Sequence, residues 1–256
     1  MKKKNSNITG AVLLAKQSGK TSFSSLWDIK HSLNTDKVGH TGTLDSFADG
    51  LLVVLTGHLT HLVTHITGFS KVYKAVVCFG KETDTLDPTG KIIRKGNTVS
   101  KEDLLKILPS FTGALLQKPP AYSAIHVDGK RASDMMRNGE EVQIEPRQIF
   151  VYRNELLDFK TTEESGDGYC YALLEIECSK GTYIRSIARD VAQALGTCGH
   201  LIALRRTSVG PFRLEDAAGY ETLEDFTIEN ALKNQSKFAE ENTTAESEQK
   251  DKSKKQ

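Results

Sequence analysis

Gly39-His40-Thr41-Gly42-Thr43-Leu44-Asp45 runs into Ser46-Phe47-Ala48-Asp49-Gly50 and then into an unbroken apolar run, Leu51 to Leu55. Two glycines bracket a histidine and a threonine. Glycines this dense sit where the backbone takes φ > 0 or approaches something closely. A loop joined directly to a buried segment has little freedom, so the aspartate at its mouth is held in place. Loops carry function when a rigid scaffold aims them. Spacing alone supports two readings of Asp45, a reactive carboxylate and a turn former.

The rest of the chain reads as strands and helices in irregular order. Residues 8–14 form a strand, and Thr21 or Ser22 caps a helix to about Leu33. Lys71 to Phe79 is a strand ended by Gly80, and Ser100 with Asp103 opens a helix through about Leu108. Asp128-Gly129 is a turn before a helix at Arg131–Asn138 that Gly139 stops. Glu141 to Phe159 and Tyr169 to Cys178 are long strand-like runs. Thr182 to Leu195 is helical, with Gly196 past its end, and Leu223 to Leu232 is a last helix with Thr222 as N-cap. Strands and helices that do not alternate regularly argue against a doubly wound parallel sheet. The expected class is α+β, a mixed, mostly antiparallel sheet flanked by helices. From about Lys233 the composition turns polar and charged, with Phe238 the one large apolar residue. The expected organisation is one folded domain over 1–232 and a disordered tail over 233–256.

Composition narrows the function classes. The 256 residues are 38% hydrophobic, enough for a real core, and the net charge of +1 announces no nucleic-acid partner. An RNA-binding face must come from local segregation of basic residues. Cys78, Cys170, Cys178 and Cys198 show no Cys-x-x-Cys spacing, which argues against a structural zinc site and fits reduced thiols in a cytosol. The start, Met-Lys-Lys-Lys-Asn-Ser-Asn, lacks the apolar stretch of a signal peptide. No apolar run approaches the roughly 20 residues of a membrane span.

Three local patterns have rival readings. Gly19-Lys20-Thr21 looks like the end of a phosphate-binding loop, but Leu14 stands where that motif needs its first glycine. A polar loop before a helix is the better reading, and Lys16 or Lys20 is a candidate for RNA phosphate. His58, His61 and His65 share one helical face, yet no carboxylate or cysteine completes a metal set, so no metal is expected. Lys118, Lys130, Arg131, Arg137, Arg205, Arg206 and Arg213, interleaved with Tyr122, His126 and Phe212, are candidate RNA contacts.

The loop ending at Asp45 resembles the signature loop of the TruB family of tRNA pseudouridine synthases. Further segments match that family in order. They are Lys71-Val72-Tyr73-Lys74, Thr83-Asp84-Thr85-Leu86-Asp87-Pro88-Thr89-Gly90, Lys118-Pro119-Pro120-Ala121-Tyr122-Ser123-Ala124, Gly181-Thr182-Tyr183-Ile184-Arg185-Ser186 and Ala203-Leu204-Arg205-Arg206-Thr207. The chain departs from the family at Ser46, where proline is usual, at Ala15-Lys16-Gln17, where Asp-Lys-Pro is usual, and at His61, where lysine is usual. These departures bear on loop rigidity and RNA backbone contacts.

The resemblance implies a pseudouridine synthase catalytic domain with an RNA-binding cleft across the sheet, acting on uridine 55 in the T-loop of tRNA. It implies Asp45 as the essential catalytic residue, His40 in the gap left by a flipped nucleotide, Tyr73 stacked on the base, Tyr183 and Leu204 as pocket walls, and Arg185 paired with Asp45. An arginine that close should lower the aspartate's pKa and keep it ionised. The reaction needs no cofactor and no metal. The expected partner is the tRNA T-arm, with no membrane and no guide RNA, and the protein is expected to be a cytoplasmic monomer. A small C-terminal RNA-binding domain, common in this family, is expected to be missing. The rival functions are an RNA chaperone, a P-loop nucleotide hydrolase and a guide-RNA-dependent synthase. Intact Asp45, Tyr73 and Arg185 speak against the first, and Leu14 against the second.

Overall fold

A computed structural model describes residues 8–235. Its strands are β1 (Gly10–Lys16), β2 (Val38–His40), β3 (Asp49–Thr56), β4 (Lys71–Phe79), β5 (Lys81–Thr83), β6 (Ile92–Lys95), β7 (Gly113–Gln117), β8 (His126–Val127), β9 (Lys130–Arg131), β10 (Arg147–Lys160), β11 (Cys170–Cys178), β12 (Gly199–Val209) and β13 (Phe212–Arg213). Nine of these make one sheet in the order β1-β3-β12-β4-β11-β10-β7, with β2 beside β3 and β13 beside β12. Every neighbouring pair is antiparallel except β3 and β12, which run parallel. This is the expected α+β class with a mixed, mainly antiparallel sheet.

Period-2 alternation sorts the two faces of the sheet. On β4, Tyr73, Ala75, Val77 and Phe79 enter one core with Ala172, Leu174 and Ile176 of β11 and with Ile184, Ile187, Ala188 and Val191 of the helix Ile184–Ala194. The intervening Val76 and Cys78 enter a core on the opposite face with Tyr171, Leu173, Ile228 and Ala231. On β3, Leu51, Val53 and Leu55 go to one cluster, while Leu52 and Val54 meet Leu26 and Ile29 of the helix Leu26–Ser32 on the other. An apolar run without alternation is what a strand covered on both faces requires.

Several boundaries follow from local chemistry. Ser100 Oγ accepts from Asp103 N and starts the helix Lys101–Ile107. Asp128 and Gly129 both take φ > 0, as a two-residue hairpin turn of type I′ demands, and join β8 to β9. Three expectations shift. Thr21 Oγ1 accepts from Ser24 N as a cap does, but residues 22–25 form a turn and the regular helix starts at Leu26. Residues 141–146 are not strand, and β10 begins at Arg147 just past Pro146. The last helix spans 228–235, with Thr227 rather than Thr222 accepting a backbone N–H, that of Asn230. That helix runs across residue 233; the remainder of the expected tail lies outside the described residues. Among the described residues no helix is long and apolar enough to cross a membrane.

Candidate active site

The loop between β2 and β3 is fastened from behind. Leu44 and Phe47 are buried in the main core, one on each side of Asp45. Leu44 N donates to Ser22 Oγ at 2.8 Å, and Ser22 Oγ donates back to Leu44 O at 3.1 Å. Ser18 Oγ donates to Phe47 O, and Gly19 N to Ser46 O, both at 2.8 Å. Lys16 is buried, and its Nζ donates to Ala48 O and Lys20 O at 2.6 Å and to Ser46 O at 3.4 Å. Lys16 is therefore a clamp inside the protein, not a phosphate contact on its surface. These bonds fix the loop at the place where Ser46 replaces the family's proline. Burial lowers the Lys16 pKa to about 8, against the pull of Asp49 and Asp45.

Gly50 carries the strand past Arg206 at close range. It takes φ +107, and a Cβ there would stand 2.4 Å from Arg206 O. Arg206 itself is fully buried, donating Nε to Leu51 O at 2.8 Å and Nη2 to Gly42 O at 3.1 Å. Arg205 makes a two-bond ion pair with Asp49, 2.7 Å in each arm. Both arginines were candidate RNA contacts, and both instead tie β12 to the loop and to β3. Lys118, Arg131, Arg137 and Arg213 are exposed, as is Lys130, although Lys130 pairs with Glu140 and Arg137 with Asp134.

Asp45 faces Arg185, the second residue of the helix Ile184–Ala194. Arg185 Nε lies 2.9 Å from Asp45 Oδ2, and Nη2 donates to Oδ1 at 3.3 Å. The same guanidinium donates to Asp87 Oδ2 at 3.3 Å, Thr85 O at 2.8 Å and Tyr122 O at 3.0 Å. Four sequence motifs distant in the chain thus meet on one buried side chain. Asp87 is held in turn by Thr85 Oγ1, Thr89 N and Thr89 Oγ1, all on its Oδ1. The Asp45 carboxylate caps no turn; its backbone carbonyl does that, accepting Ala48 N at 3.2 Å.

Arg185 is enclosed, its side chain 5% exposed, while Asp45 keeps 38% of its side chain open to the cleft. Burial raises the Asp45 pKa above the ordinary 3.8, Asp87 adds to the rise, and Arg185 and Lys16 oppose it. The expected lowering by Arg185 is present but does not prevail. Desolvation disfavours the anion more than the guanidinium, shared between two carboxylates, recovers.

A cavity of about 420 Å³ opens in front of Asp45. Tyr73, Tyr183, Arg185 and Leu204 line it, together with Lys71 and Tyr122. Burial raises the pKa of both tyrosines, so both are neutral phenols. Tyr183 is aimed by Gln117, whose amide bonds its backbone N–H at 2.9 Å and its carbonyl at 3.1 Å. Lys71 is buried, with Nζ on Thr67 O and Phe69 O at 2.6 Å, and burial lowers its pKa to about 8. His40 is not on this wall. It ends β2, half buried, with Nδ1 lacking a hydrogen-bond partner, and burial together with nearby Arg206 lowers its pKa. Five of the six site residues expected from sequence therefore share one cavity. The roles of Asp87, Lys16 and Lys71 were not read from sequence. The threonines flanking Asp87 were the available signal, since a carboxylate between hydroxyls is usually one held in place.

Histidines 58, 61 and 65 do not share a regular helix face. They fall on a 3-10 turn, Gly57–Leu62, and a short helix, Val63–Thr67.

Comparisons with known proteins give the family. A model of the TruB family pseudouridylate synthase N-terminal domain matches residues 30–184. A model of the tRNA pseudouridylate synthase B C-terminal domain matches residues 185–241. Relatives named tRNA pseudouridine synthase B include that of Treponema denticola, 48% identical over 83% of this chain and 63% of its own length. Another, from Borreliella burgdorferi, is 45% identical over 84% of this chain and 74% of its own length. Among solved structures, a Cbf5-Nop10-Gar1 complex superposes with a TM-score of 0.60 at 27% identity, over 80% of this chain and 50% of that one. An H/ACA RNP bound to a substrate RNA containing 2′-deoxyuridine gives a TM-score of 0.58 at 25% identity, over 80% and 48%. The family models and the relatives define a class, the pseudouridylate synthases. The chain belongs to the TruB family of pseudouridylate synthases.

Proposed function

We propose that this protein isomerises uridine to pseudouridine at position 55 in the T-loop of tRNA, with Asp45 as the essential catalytic group. The observation that carries the reading is the Asp45–Arg185–Asp87 chain at the mouth of the aromatic-walled cavity.

The uridine leaves its stack, because an enzyme acting on a base extrudes it. Tyr73 and Leu204 receive it, and Tyr183 closes the wall. His40, neutral and on the strand leading into the loop, takes the gap left in the RNA. The C1′–N1 bond breaks, the base turns, and C1′ joins C5. C5 gives up its proton and N1 gains one. Atoms and electrons balance within the nucleoside, so no cofactor enters. Asp45 attacks ribose or base, or assists glycal formation, as an anion. Arg185 holds its carboxylate in one orientation throughout, and Tyr73, a neutral phenol, stacks on the base and relays the C5 proton, giving up its own O–H proton as it takes the other.

The partner is the T-arm stem-loop of tRNA, a loop whose splayed bases proteins can read. No guide RNA is needed; the relatives named as tRNA enzymes are more similar to this chain than the ribonucleoprotein neighbours are. The protein acts as a monomer in the cytosol, a setting supported by four buried cysteines, none bridged.

Incubating the protein with unmodified tRNA and mapping by carbodiimide-primer extension tests this. The expected result is one new stop, immediately 3′ of residue 55, reporting pseudouridine at that position. A stop elsewhere, or none, overturns the assignment.

A further inference from the structure

Phe23 and Trp27 stand apart from every core cluster. Their exposures are 73% and 65%, the highest for any phenylalanine, tyrosine or tryptophan among the described residues. They sit four residues apart, so both rings lie on one side of the chain as it enters the helix Leu26–Ser32. Lys20, Ser24, Asp28 and Lys30 share a shallow cavity of about 510 Å³ with them. Lys30 Nζ lies 5.1 Å above the Phe23 ring, and His31 lies against Trp27 with centroids 5.2 Å apart.

From this arrangement we infer that Phe23 and Trp27 form a second RNA contact, a stacking platform for unpaired bases outside the nucleotide being isomerised. The inference rests on the proposed RNA substrate. Exposed aromatic faces interleaved with lysines are the design of sequence-tolerant single-strand binding, in which rings take the bases and ammonium groups the phosphates. Lys20 and Lys30 supply the charge that complements an RNA backbone. The platform is also continuous with the catalytic loop. The segment carrying it is tied to that loop directly through Gly19 N and Ser22 Oγ, and through Lys16 Nζ, which joins Lys20 O to Ala48 O, so a base seated on Phe23 lies on a surface joined to Asp45. The contact would hold RNA without touching the reacting atoms.

Trp27 is the sole tryptophan of the chain, so its emission reports this surface alone. Titration of the full chain with unmodified tRNA is expected to quench that emission saturably. Phe23→Ala and Trp27→Ala should each raise KM for tRNA about fivefold or more, with kcat unchanged, since losing one stacked base weakens binding by at least that factor. Trp27→Phe should restore wild-type KM, and melting temperatures should not move, because neither ring is in a core. Emission unchanged at saturating tRNA while pseudouridine still forms overturns the platform and leaves the reaction intact. A concentration-dependent dimer dissolved by Phe23→Ala/Trp27→Ala would also overturn it, assigning the patch to a second copy of the chain. Quenching without any turnover would instead overturn the reaction and leave the platform standing.

Discussion

Arg185 Nη1 reaches Asp87 Oδ2 at 3.3 Å while the other face of the same guanidinium holds Asp45. Asp87 never faces the cavity, yet it decides how the arginine is aimed. Asp87→Asn keeps the shape and removes the charge. Arg185 then loses one of its two anionic partners and turns toward Asp45. A misplacement of about 1 Å costs on the order of 10²-fold, so kcat should fall by about that factor with KM little changed. Single-turnover rates and KM from one tRNA series check this; a raised KM at unchanged kcat would make Asp87 a binding residue instead.

The pH–rate profile carries the sign of the Asp45 shift. Asp45 works as an anion, so the rate is full above its pKa in the folded protein and falls tenfold per unit below it. Burial raises that pKa above 3.8, and Arg185 opposes the rise. The acid limb should therefore lie above the ordinary carboxylate range, and Arg185→Met should move it further up. The same shift makes the folded state take up a proton before the unfolded chain does. Relative to Asp45→Asn, the wild type should gain stability as pH falls from neutral through the Asp45 pKa. An acid limb that Arg185→Met leaves in place would show that the two side chains are not coupled.

Lys16 should be worth more to the loop than to RNA. In Lys16→Met the carbonyls of Lys20 and Ala48 lose a charged donor in a buried setting, at roughly 1–3 kcal/mol. The native Lys16 pKa is about 8 against a usual 10.5. Between those values the unfolded chain binds a proton that the folded one has released, so wild-type stability should rise as pH climbs through that window. Lys16→Met should remove its share of the rise, with Lys71 supplying the rest. Urea melts at pH 7 and pH 10 read both effects. Unchanged stability with weakened tRNA binding would return Lys16 to the RNA surface.

Much of this was legible in the sequence where a local rule acts alone. Gly80, Gly139 and Gly196 end elements because each takes φ > 0, and Ser100 caps where a serine three residues before an aspartate should. The resemblance brought Asp45, Tyr73, Tyr183, Arg185 and Leu204 to one site, and the fold unites them. What escaped depends on burial, which spacing does not encode. Lys16, Arg205 and Arg206 look like surface charge in one dimension, but each is enclosed by backbone carbonyls or a carboxylate from another strand. Asp45 was expected to be held low by an arginine; burial pushes its pKa up against that partner. Thr222 was read as the cap of the last helix; Ile228 and Ala231, buried against the sheet, go with a later start behind Thr227.

The central claim is that the Asp45 carboxylate performs the chemistry. Joining C1′ to C5 releases the C5 hydrogen, so tritium release from tRNA labelled at uridine C5 counts turnovers directly. Wild-type protein should release one equivalent per tRNA, and Asp45→Asn none, while filter binding shows that the variant still holds tRNA. Tritium release by purified Asp45→Asn above the level of wild-type contamination would contradict the account.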